Sequence, residues 1–459
     1  MNEFYNPVTL SRMQFAVTTL FHMLWPLLSI GLGLLLVLLE ALWLKTGREI
    51  YYRHTRFWSK LFLLSFGIGV ASGVPLEFQF GTNWAKFSGT SGEFFGNILG
   101  FEAAMAFMLE AAFLGIMLFA WNKVSRRMHF FATVMVALGA TISSFWIMCA
   151  NSWMQAPRGI KMEKGIAIVT SYKEAILNPA LVYSFTHMWA ACIVTTLFFV
   201  AGISAWAIYK NHHSQFFIKS FKLCLIVTII FTPLQIYLGD LSVRGVAKCQ
   251  PAKSAAMEAH WQTNAPGQGA PWSVIAWPDS QKQQNTWQLP IPYLLSLLST
   301  HSLTGQVRGL SEFPIENQPP VAINFYAFRL MVVIGLIFFV LMIWGLWKWR
   351  KGQLNSENAA RNRFFWLAWV WSIPLGFIAS NLGWIVREVG RQPWVLYNIL
   401  KTNDGVSNLN TSTVAVSLLT YCLVYLAMLI LYIIYAKRTI LKGPDFISPI
   451  PHTSSVGGK

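Results

Sequence analysis

Two of the nine histidines in this 459-residue chain lie well inside long apolar stretches. They are His22 and His187, whereas the other seven fall in connecting segments, in the tail or at the ends of apolar stretches. An ionisable side chain inside a lipid bilayer is costly and marks a functional position by default. Because imidazole is also the commonest metal ligand, both histidines are candidate ligands. The alternative for each is a structural hydrogen bond to a neighbouring helix.

Met331 extends the metal-ligand hypothesis. It lies in the apolar stretch that begins Phe325-Tyr-Ala-Phe-Arg-Leu-Met331. A histidine and a methionine are a known pair of axial ligands for a low-spin, electron-transferring haem. The chain has 16 methionines, and most of them are expected to fill gaps in the core. The pairing of Met331 with a histidine therefore needs support from elsewhere in the chain.

Acids are scarce, with 18 Asp and Glu residues in all, yet several fall in or at the edges of apolar stretches. Glu102 and Glu110 lie eight residues apart on one predicted helix, so they differ by about 80° in direction and about 12 Å along the axis. Two carboxyls on one stripe suit a proton relay, a metal ligand, or both. The alternative is a pair of structural, hydrogen-bonding acids. The other acids of this kind are Glu40, Glu77 and Glu388.

Glu388 stands between two arginines in the segment Gly383–Trp394, at the end of another apolar stretch. Arg387 and Arg391 can pair with carboxylates, including the propionates of a haem. An interfacial anchor of Trp and Arg is the alternative, but such an anchor would not need a glutamate between the arginines. Outside the apolar stretches, Lys253 and Glu258 have the spacing of a surface ion pair, and most such pairs contribute little.

The composition identifies the setting in which these residues act. The chain is 55% hydrophobic and only 12% charged, about half of what soluble proteins carry. The apolar content excludes disorder, and the net charge of +17 is not gathered on one polar, basic face as in a nucleic-acid binder. The five cysteines show no paired spacing for disulfides or zinc. The first apolar stretch is too long for a signal peptide. The sequence therefore predicts an all-α integral membrane protein.

Apolar stretches of about 20 residues, long enough to cross a bilayer as a helix, occur about nine times. The second and fourth are rich in Gly, Ser and Thr, which are common where membrane helices pack closely. They centre on 14–44, 58–80, 95–122, 129–150, 180–209, 216–239, 325–347, 364–386 and 412–436. These stretches divide the chain into helices 1–6 in residues 1–239, a long connection in 240–324, and helices 7–9 with a tail in 325–459.

The cations are distributed unequally between the segments that join these predicted helices. The alternate segments that share a side with the C-terminal tail hold 20 of the 35 Lys and Arg residues. Short cytoplasmic loops carry such an excess. We therefore expect an outer N-terminus and a cytoplasmic C-terminus. The long connection then lies outside, and its tryptophans favour a folded cap on the membrane surface: Trp261, Trp272, Trp277 and Trp287.

Taken together, these segments resemble subunit I of the bacterial cytochrome bd-type quinol oxidases, over nearly the whole chain. The most specific motifs are Glu77-Phe-Gln-Phe-Gly-Thr-Asn-Trp84 and Gly390-Arg-Gln-Pro-Trp394. The remaining matches are Ser11-Arg-Met-Gln-Phe15, His22, the Glu102/Glu110 helix, Asn151-Ser-Trp-Met-Gln155, His187, the Lys253/Glu258 pair and Phe328-Arg-Leu-Met331.

The resemblance implies three haems. His187 and Met331 match the axial ligands of a low-spin haem b. Arg329, about 200° around the helix from Met331, is expected to reach a propionate of that haem. His22 and Glu388 match the ligands of a high-spin haem b and of haem d, or of a further haem b in its place. Which of the two serves which haem stays open. Arg391 and Trp384 are further expected haem contacts.

The resemblance also implies roles for the acids and for the long connection. Glu102 and Glu110 match carboxylates implicated in proton delivery and in ligation at the oxygen site. Lys253 and Glu258 match the quinol-binding residues. The connection lacks a large insertion in its second half, as in the short-loop class that includes cyanide-insensitive oxidases. The implied partners are a second membrane subunit, sometimes a very small third one, quinol and oxygen, with no nucleic acid, in the bacterial cytoplasmic (inner) membrane.

The implied activity is a quinol:oxygen oxidoreductase that oxidises ubiquinol or menaquinol outside and reduces oxygen to water, generating a membrane potential. A haem-copper oxidase is excluded, because it needs about six intramembrane histidines and only two lie in the spans. Two other hypotheses stay open at this point. One is a transporter whose buried carboxyls couple proton flow, which would bind no chromophore. The other is a haem-binding scaffold without activity.

Overall fold

The computed structural model describes residues 5–355 and 362–451. Within these ranges, nine helices are long and apolar enough to cross a membrane, which confirms the predicted number and includes the second and fourth stretches. They are α1 (Pro7–Thr46), α2 (Glu49–Thr82), α3 (Ala85–Phe119), α4 (Arg126–Gln155), α5 (Leu181–Tyr209), α6 (Ser214–Cys249), α7 (Val321–Arg350), α8 (Arg363–Val389) and α9 (Thr411–Lys442).

Local sequence signals fix both ends of α1. Asn6 caps its first turn, with Oδ1 accepting a hydrogen bond from the backbone N–H of Thr9 at 2.8 Å, and Pro7 occupies the first helical position. Both residue types are favoured there because the first N–H groups of a helix have no intrahelical partner. The helix ends at Gly47, whose φ of 66° lies in the left-handed region that favours glycine.

Several helices continue beyond the apolar stretches that predicted them. Helix α3 begins at Ala85 and α6 ends at Cys249, each about ten residues outside the predicted span. A helix satisfies its own backbone hydrogen bonds, so it need not end where the apolar side chains do. The predicted domain limits at residues 240 and 324 consequently fall inside α6 and α7. Helix α8 is interrupted by a turn between Trp371 and Leu375.

Helix α5 lies at the centre of the molecule and is buried on almost all sides. On it, Phe198 stacks on Phe338 of α7 and on Trp369 of α8, with ring centroids 4.0 and 5.1 Å apart. Helices α1 and α5 approach closely at Gly31, where an added Cβ would lie 2.2 Å from Oγ1 of Thr196. A helix that is apolar all round is expected at such a central position.

The long connection is folded. It contains the short helices Pro251–Glu258 and Leu294–Thr300 and an antiparallel hairpin of β3 (Trp272–Asp279) and β4 (Gln284–Ile291). Trp277 lies opposite Trp287 in this hairpin, and both side chains are exposed. The other two hairpins are β1 (Ile160–Glu163) with β2 (Ile166–Val169), and β5 (Trp394–Leu396) with β6 (Leu400–Lys401).

The segment after α9 is bound by arginines from the first half of the chain. Nη1 of Arg53 donates to the carbonyl of Asp445 at 2.8 Å, and Nη2 of Arg126 donates to the carbonyl of Pro451 at 2.9 Å. The rest of the predicted cytoplasmic tail, 452–459, and the loop residues 356–361 lie outside the described residues, together with two of the cations counted above, Arg361 and Lys459.

Candidate functional site

His22 lies on α1 beside the second helix. Its Nδ1 is 3.0 Å from Oγ of Ser72, and that hydroxyl donates to the carbonyl of Gly69 at 3.1 Å. A serine hydroxyl has one hydrogen. Because the carbonyl of Gly69 takes that hydrogen, Oγ is left to accept the Nδ1–H of His22. This arrangement fixes the tautomer in which Nε2 keeps a free lone pair, the form that binds a metal.

His187 on α5 has a comparable partner on α6. Nε2 of Gln235 lies 3.3 Å from Nδ1 and 3.4 Å from Nε2 of the ring. Oε1 of the same amide is buried and has no hydrogen-bond partner in the described part of the chain. Amide oxygen and nitrogen are exchanged by a half turn about the side chain. After that turn Oε1 would accept one ring N–H, leaving the other nitrogen of His187 available as a ligand.

Met331 and Trp384 lie in two different apolar clusters. Met331, on α7, is half-buried against Met257, Phe328 and Val386. Trp384, on α8, packs at the edge of the aromatic cluster that contains Trp84 and Phe94. The thioether of Met331 is on the side of α7 that faces Gly383 of α8, and the side chains of its cluster are apolar.

Glu388, at the end of α8, is held by three side chains. Its Oε2 accepts a hydrogen bond from Nη2 of Arg391 at 2.5 Å, and its Oε1 accepts from Asn151 at 2.9 Å and from Gln155 at 3.3 Å. The structure therefore brings together two motifs that are far apart in the sequence, the end of α4 and the end of α8. Nε and Nη1 of Arg391 are buried and have no partner among the described residues.

Arg387 is directed towards α4 and α5. Its guanidinium donates to Oδ1 of Asn151, to Oγ of Ser184 at 2.8 Å and to Oγ of Ser152 at 3.2 Å. It lies 4.0 Å from Oε1 of Glu388. Two arginines and one glutamate are thus packed in one cluster, in which Arg391 is buried and the other two are half-buried. The net positive charge of this cluster favours an additional anionic group.

Lys253 is buried on the short helix that follows α6. Its Nζ donates to Oε1 of Gln155 at 2.6 Å and to the carbonyl of Arg387 at 2.8 Å. Burial lowers the pKa of Lys253 well below its ordinary value, and the nearby Arg387 lowers it further, while Glu388 acts in the opposite direction. Gln155 consequently connects Lys253 to Glu388 through the two ends of one amide.

Glu258 is paired with Arg329, whereas its spacing in the sequence suggested Lys253. Its Oε2 accepts a hydrogen bond from Nη2 of Arg329 at 2.6 Å, and both side chains are buried. Arg329 also donates to the carbonyl of Ser273 and lies 4.4 Å from the ring of Trp272. The arginine expected at a haem propionate therefore ties α7 to the long connection. Only its Nη1 is left without a partner in the described ranges.

Glu102 and Glu110 both face α4. Ser143 donates to Oε1 of Glu102 at 2.6 Å, and Glu110 packs against Gly139 one turn away on the same helix. Residues Glu102–Phe107 form a π-helical segment within α3, so the 80° calculated for a regular helix does not apply. The two carboxyls nevertheless share one neighbouring helix face, as four-residue spacing on α4 requires.

A further buried pair of ionisable residues lies at the other end of α1 and α4. Nδ1 of His129 is 2.6 Å from Oε1 of Glu40, and Thr133 donates to Oε2 at 2.7 Å. Nε2 of His129 bonds to the carbonyl of Met117 on α3 at 3.0 Å. Every polar atom of this cluster has a partner, which is typical of a structural link between three helices.

The Glu77–Trp84 motif links α2 to α1. Gln79 donates to Oγ1 of Thr18 at 2.7 Å, and Asn83 donates to Oγ of Ser11 at 3.3 Å. Glu77 itself is exposed. The motif holds the half of α1 that carries His22 against α2, so its role is to position that histidine.

The donor set fits haem better than a bare metal ion. No group of three or more His, Cys, Asp or Glu side chains is placed to hold a metal ion among the described residues. The candidate ligands are single donors, and single donors suit an iron that brings four nitrogen ligands in its own macrocycle. The unused buried nitrogens of Arg391 and Arg329 are in turn suited to propionates.

Comparison with known proteins gives one consistent result. The family model for cytochrome bd terminal oxidase subunit I matches residues 10–444. The chain belongs to this family. It is a multi-pass protein of a bacterial inner membrane, in keeping with its nine candidate spans.

Several members of the cytochrome bd family resemble this chain along their whole length. Cytochrome bd ubiquinol oxidase subunit 1 of Bacillus subtilis is 34% identical and covers 95% of this chain and 94% of its own. Cytochrome bd-II ubiquinol oxidase subunit 1 of Escherichia coli is 33% identical, covering 99% and 100%. The structure of the bd oxidase from Geobacillus thermodenitrificans matches with a TM-score of 0.87 at 29% identity, over 97% of this chain and 100% of that one.

Sequence reasoning missed the residues that support the ligands. Ser72 and Gln235 are polar residues in apolar helices, and neither stands out by spacing. The one available signal was the high Gly, Ser and Thr content of the second stretch, which contains Ser72. Asn151 and Gln155 were noted only as part of a motif, without a partner.

Proposed function

We propose that this chain is the subunit of a quinol:oxygen oxidoreductase that oxidises quinol at the 240–324 connection and reduces oxygen to water. The observation that carries the proposal is the hydrogen-bonded chain Lys253–Gln155–Glu388. It joins a lysine of the connection to a carboxylate at the end of α8 through one amide. The names of two relatives, both ubiquinol oxidases, support the same activity.

The proposed quinol site consists of Lys253 and Glu258 on one short helix. An ammonium group carries three hydrogens, and two of those on Lys253 have acceptors in the protein. The third is available to a quinol oxygen when the lysine is protonated. The carboxylate of Glu258 accepts the proton that leaves the quinol, and Arg329 holds that carboxylate in place.

The proposed cofactors are a low-spin haem b, a high-spin haem b, and a haem d or a further haem b in its place. His187 and Met331 would hold the low-spin haem, and His22 and Glu388 would hold the high-spin pair. Arg391 and Arg329 would bind propionates through their unpaired nitrogens, and Trp384 would contact a macrocycle. When bound, these groups supply one-electron transfer and the reduction of oxygen.

Protons for the oxygen site would be held by Glu102 and Glu110, with Ser143 hydrogen-bonded to the first of them. Glu102 is also a possible ligand at that site. The cation excess favours an outer position for the 240–324 connection, so protons released at Glu258 would leave on the outer side. Protons consumed with oxygen come from the cytoplasm. This separation of the two proton steps is what would generate a membrane potential.

The remaining proposals concern partners and class. A second membrane subunit, and in some cases a very small third one, would cover apolar faces such as that of α9, which is largely exposed in this chain. The alignment with the E. coli relative extends over 526 residues, although this chain has 459. The E. coli protein therefore carries residues that have no counterpart here. This difference supports the short-loop class. Relatives are named for ubiquinol and for menaquinol, and both remain candidate substrates.

The test is a reduced-minus-oxidised spectrum of the purified His187→Ala complex, with His301→Ala, an exposed histidine of the connection, as the control. We expect His187→Ala to lose the low-spin haem b signal and the control to keep it. Retention of that signal in His187→Ala contradicts the axial assignment.

Oxygen uptake with reduced quinol separates the oxidase from a haem-binding scaffold, and a colourless membrane fraction would favour a transporter. Pyridine haemochrome analysis distinguishes haem d from haem b.

A further inference from the structure

Three of the four proposed ligands face a glycine on a neighbouring helix. An added Cβ at Gly73 of α2 would lie 3.1 Å from Cε1 of His22. At Gly239 of α6 it would lie 3.4 Å from Cε1 of His187, and at Gly383 of α8 it would lie 3.1 Å from Sδ of Met331. The atoms approached are those at the donor end of each side chain, because Cε1 lies between the two imidazole nitrogens and Sδ is the donor itself.

The distances at Gly73 and Gly383 leave no room for a methyl group without movement of the ligand, because atoms in van der Waals contact are about 3.5–4.0 Å apart. His22 and Met331 would each have to shift by a few tenths of an ångström. The 3.4 Å at Gly239 is an ordinary van der Waals contact, so an alanine there would touch His187 without displacing it. The imidazole of His22 has little freedom to shift, since its Nδ1 is bonded to Ser72, the residue next to Gly73. His187 is similarly placed between Gln235 and Gly239, which lie one turn apart on α6.

Other glycines in the same helices are not placed in this way. Apart from its chain neighbours and the adjacent backbone of its own helix, a Cβ added at Gly67 of α2 or at Gly335 of α7 would have no described atom within 4 Å. Glycine weakens a helix interior relative to alanine, so a glycine that touches nothing can be replaced at no steric cost. Gly73, Gly239 and Gly383 therefore differ from these other glycines in having the donor end of a proposed ligand within 4 Å.

We propose that Gly73 and Gly383 are positioning residues that keep the donor ends of His22 and Met331 free to turn towards iron. Each glycine serves one ligand. Gly383 would act on the low-spin haem through Met331, and Gly73 would act on the high-spin haem through His22. The inference rests on the proposed ligand assignment.

The test is the ratio of low-spin to high-spin haem in reduced-minus-oxidised spectra of Gly73→Ala and Gly383→Ala. We expect Gly383→Ala to lose or shift the low-spin haem b signal and to keep the high-spin signals. Gly73→Ala should show the reverse. Gly67→Ala and Gly335→Ala are matched controls on α2 and α7 and should resemble the parent. Because the ratio is internal to each sample, it does not depend on how much protein accumulates.

The outcomes separate this inference from the function on which it rests. Unchanged ratios and unchanged absorption maxima in both alanine variants overturn the role of the glycines. A change in the same haem for both variants overturns it as well, since the pairing of each glycine with one ligand predicts selectivity. Met331→Ala and His187→Ala are measured in parallel. If these two keep the low-spin haem, the ligand assignment itself fails, irrespective of the glycines.

Discussion

The carboxylate of Glu258 and the guanidinium of Arg329 are 2.6 Å apart and both buried, although 71 residues separate them in the sequence. The pair joins the long connection to α7, and the carbonyl of Ser273 accepts two further hydrogen bonds from the arginine. Removing one member of a buried ion pair leaves the other charge without compensation. That loss typically costs about 3–5 kcal/mol, more than the net contribution of the intact pair.

We expect Glu258→Gln to destabilise the connection by an amount of that order and to make it sensitive to limited proteolysis. Arg329→Met should have a similar effect, and the double variant should cost less than the sum of the two single ones. Glu312→Gln is the control in the same segment, because the exposed Arg308–Glu312 pair should contribute at most about 1 kcal/mol. Additive single and double effects would contradict the pairing.

The amide of Gln155 is expected to control the charge state of Lys253. Gln155→Glu places a carboxylate next to Nζ, where the opposite charge favours the ammonium form and so raises the pKa of Lys253 from its lowered value. Any limb of the pH profile of quinol oxidation that depends on this lysine should therefore move to higher pH. The measurement is KM against pH in the parent and the variant. Lys253→Met should remove the limb, and a limb that persists there belongs to another group.

Ser72 is expected to tune the ligand on α1. In Ser72→Ala the Nδ1–H of His22 loses its acceptor, so the tautomer and the ring orientation are no longer fixed. Loss of such a supporting hydrogen bond typically costs about 10–100-fold in metal affinity or activity. We expect a shifted high-spin haem signal or midpoint potential, with the low-spin signal unchanged. Ser65→Ala on the same helix is the control, because that hydroxyl bonds to Leu61 and Tyr432.

His260 makes the fold of the connection sensitive to acid. Burial lowers its pKa below 6.5, and a hydrogen bond from Nε2 to the carbonyl of Val307 opposes that shift only in part. Between the lowered pKa and about 6.5, the unfolded chain binds more protons than the folded one. The contribution of His260 to stability therefore decreases as the pH falls through that window.

The corresponding measurement is protease resistance of the 240–324 connection between neutral and mildly acid pH. His260→Gln keeps a donor for Val307 but does not titrate, so its resistance should change less with pH than that of the parent. Identical pH dependence in the two proteins would assign the acid sensitivity to other residues.

The number of spans was predictable from the sequence. The candidate ligands could be named from it but remain a prediction, and the hydrogen-bond partners of the candidate site residues could not be foreseen. The length of an apolar stretch is set by the bilayer, so it can be counted in the sequence. Lys253 and Glu258 show why the partners could not be read from spacing. Five residues correspond to about 140° around a helix, so the two side chains point to different sides and bind Gln155 and Arg329. Those partners come from other helices, 98 and 71 residues away.

Other differences have equally local causes. The π-helical segment that begins at Glu102 changes the direction of the residues after it, and no regular periodicity predicts it. His129 was assigned to the end of a span, which is correct for its position in α4, but its ring is buried against Glu40 because α1 and α3 both pass there. The contacts of Ser72 and Gln235 likewise depend on how the helices pack.

The binding of the last described residues by Arg53 and Arg126 has a consequence for biosynthesis. Arg53 and Arg126 are translated early, whereas the carbonyl groups of Asp445 and Pro451 follow 392 and 325 residues later. A nascent chain that stalls after α9 leaves these donors to water or to other acceptors. The first turns of α2 and α4, which carry these arginines, thus reach their hydrogen bonding only after α9 and the segment behind it have been made, so a chain that lacks that segment leaves both guanidinium groups without these acceptors.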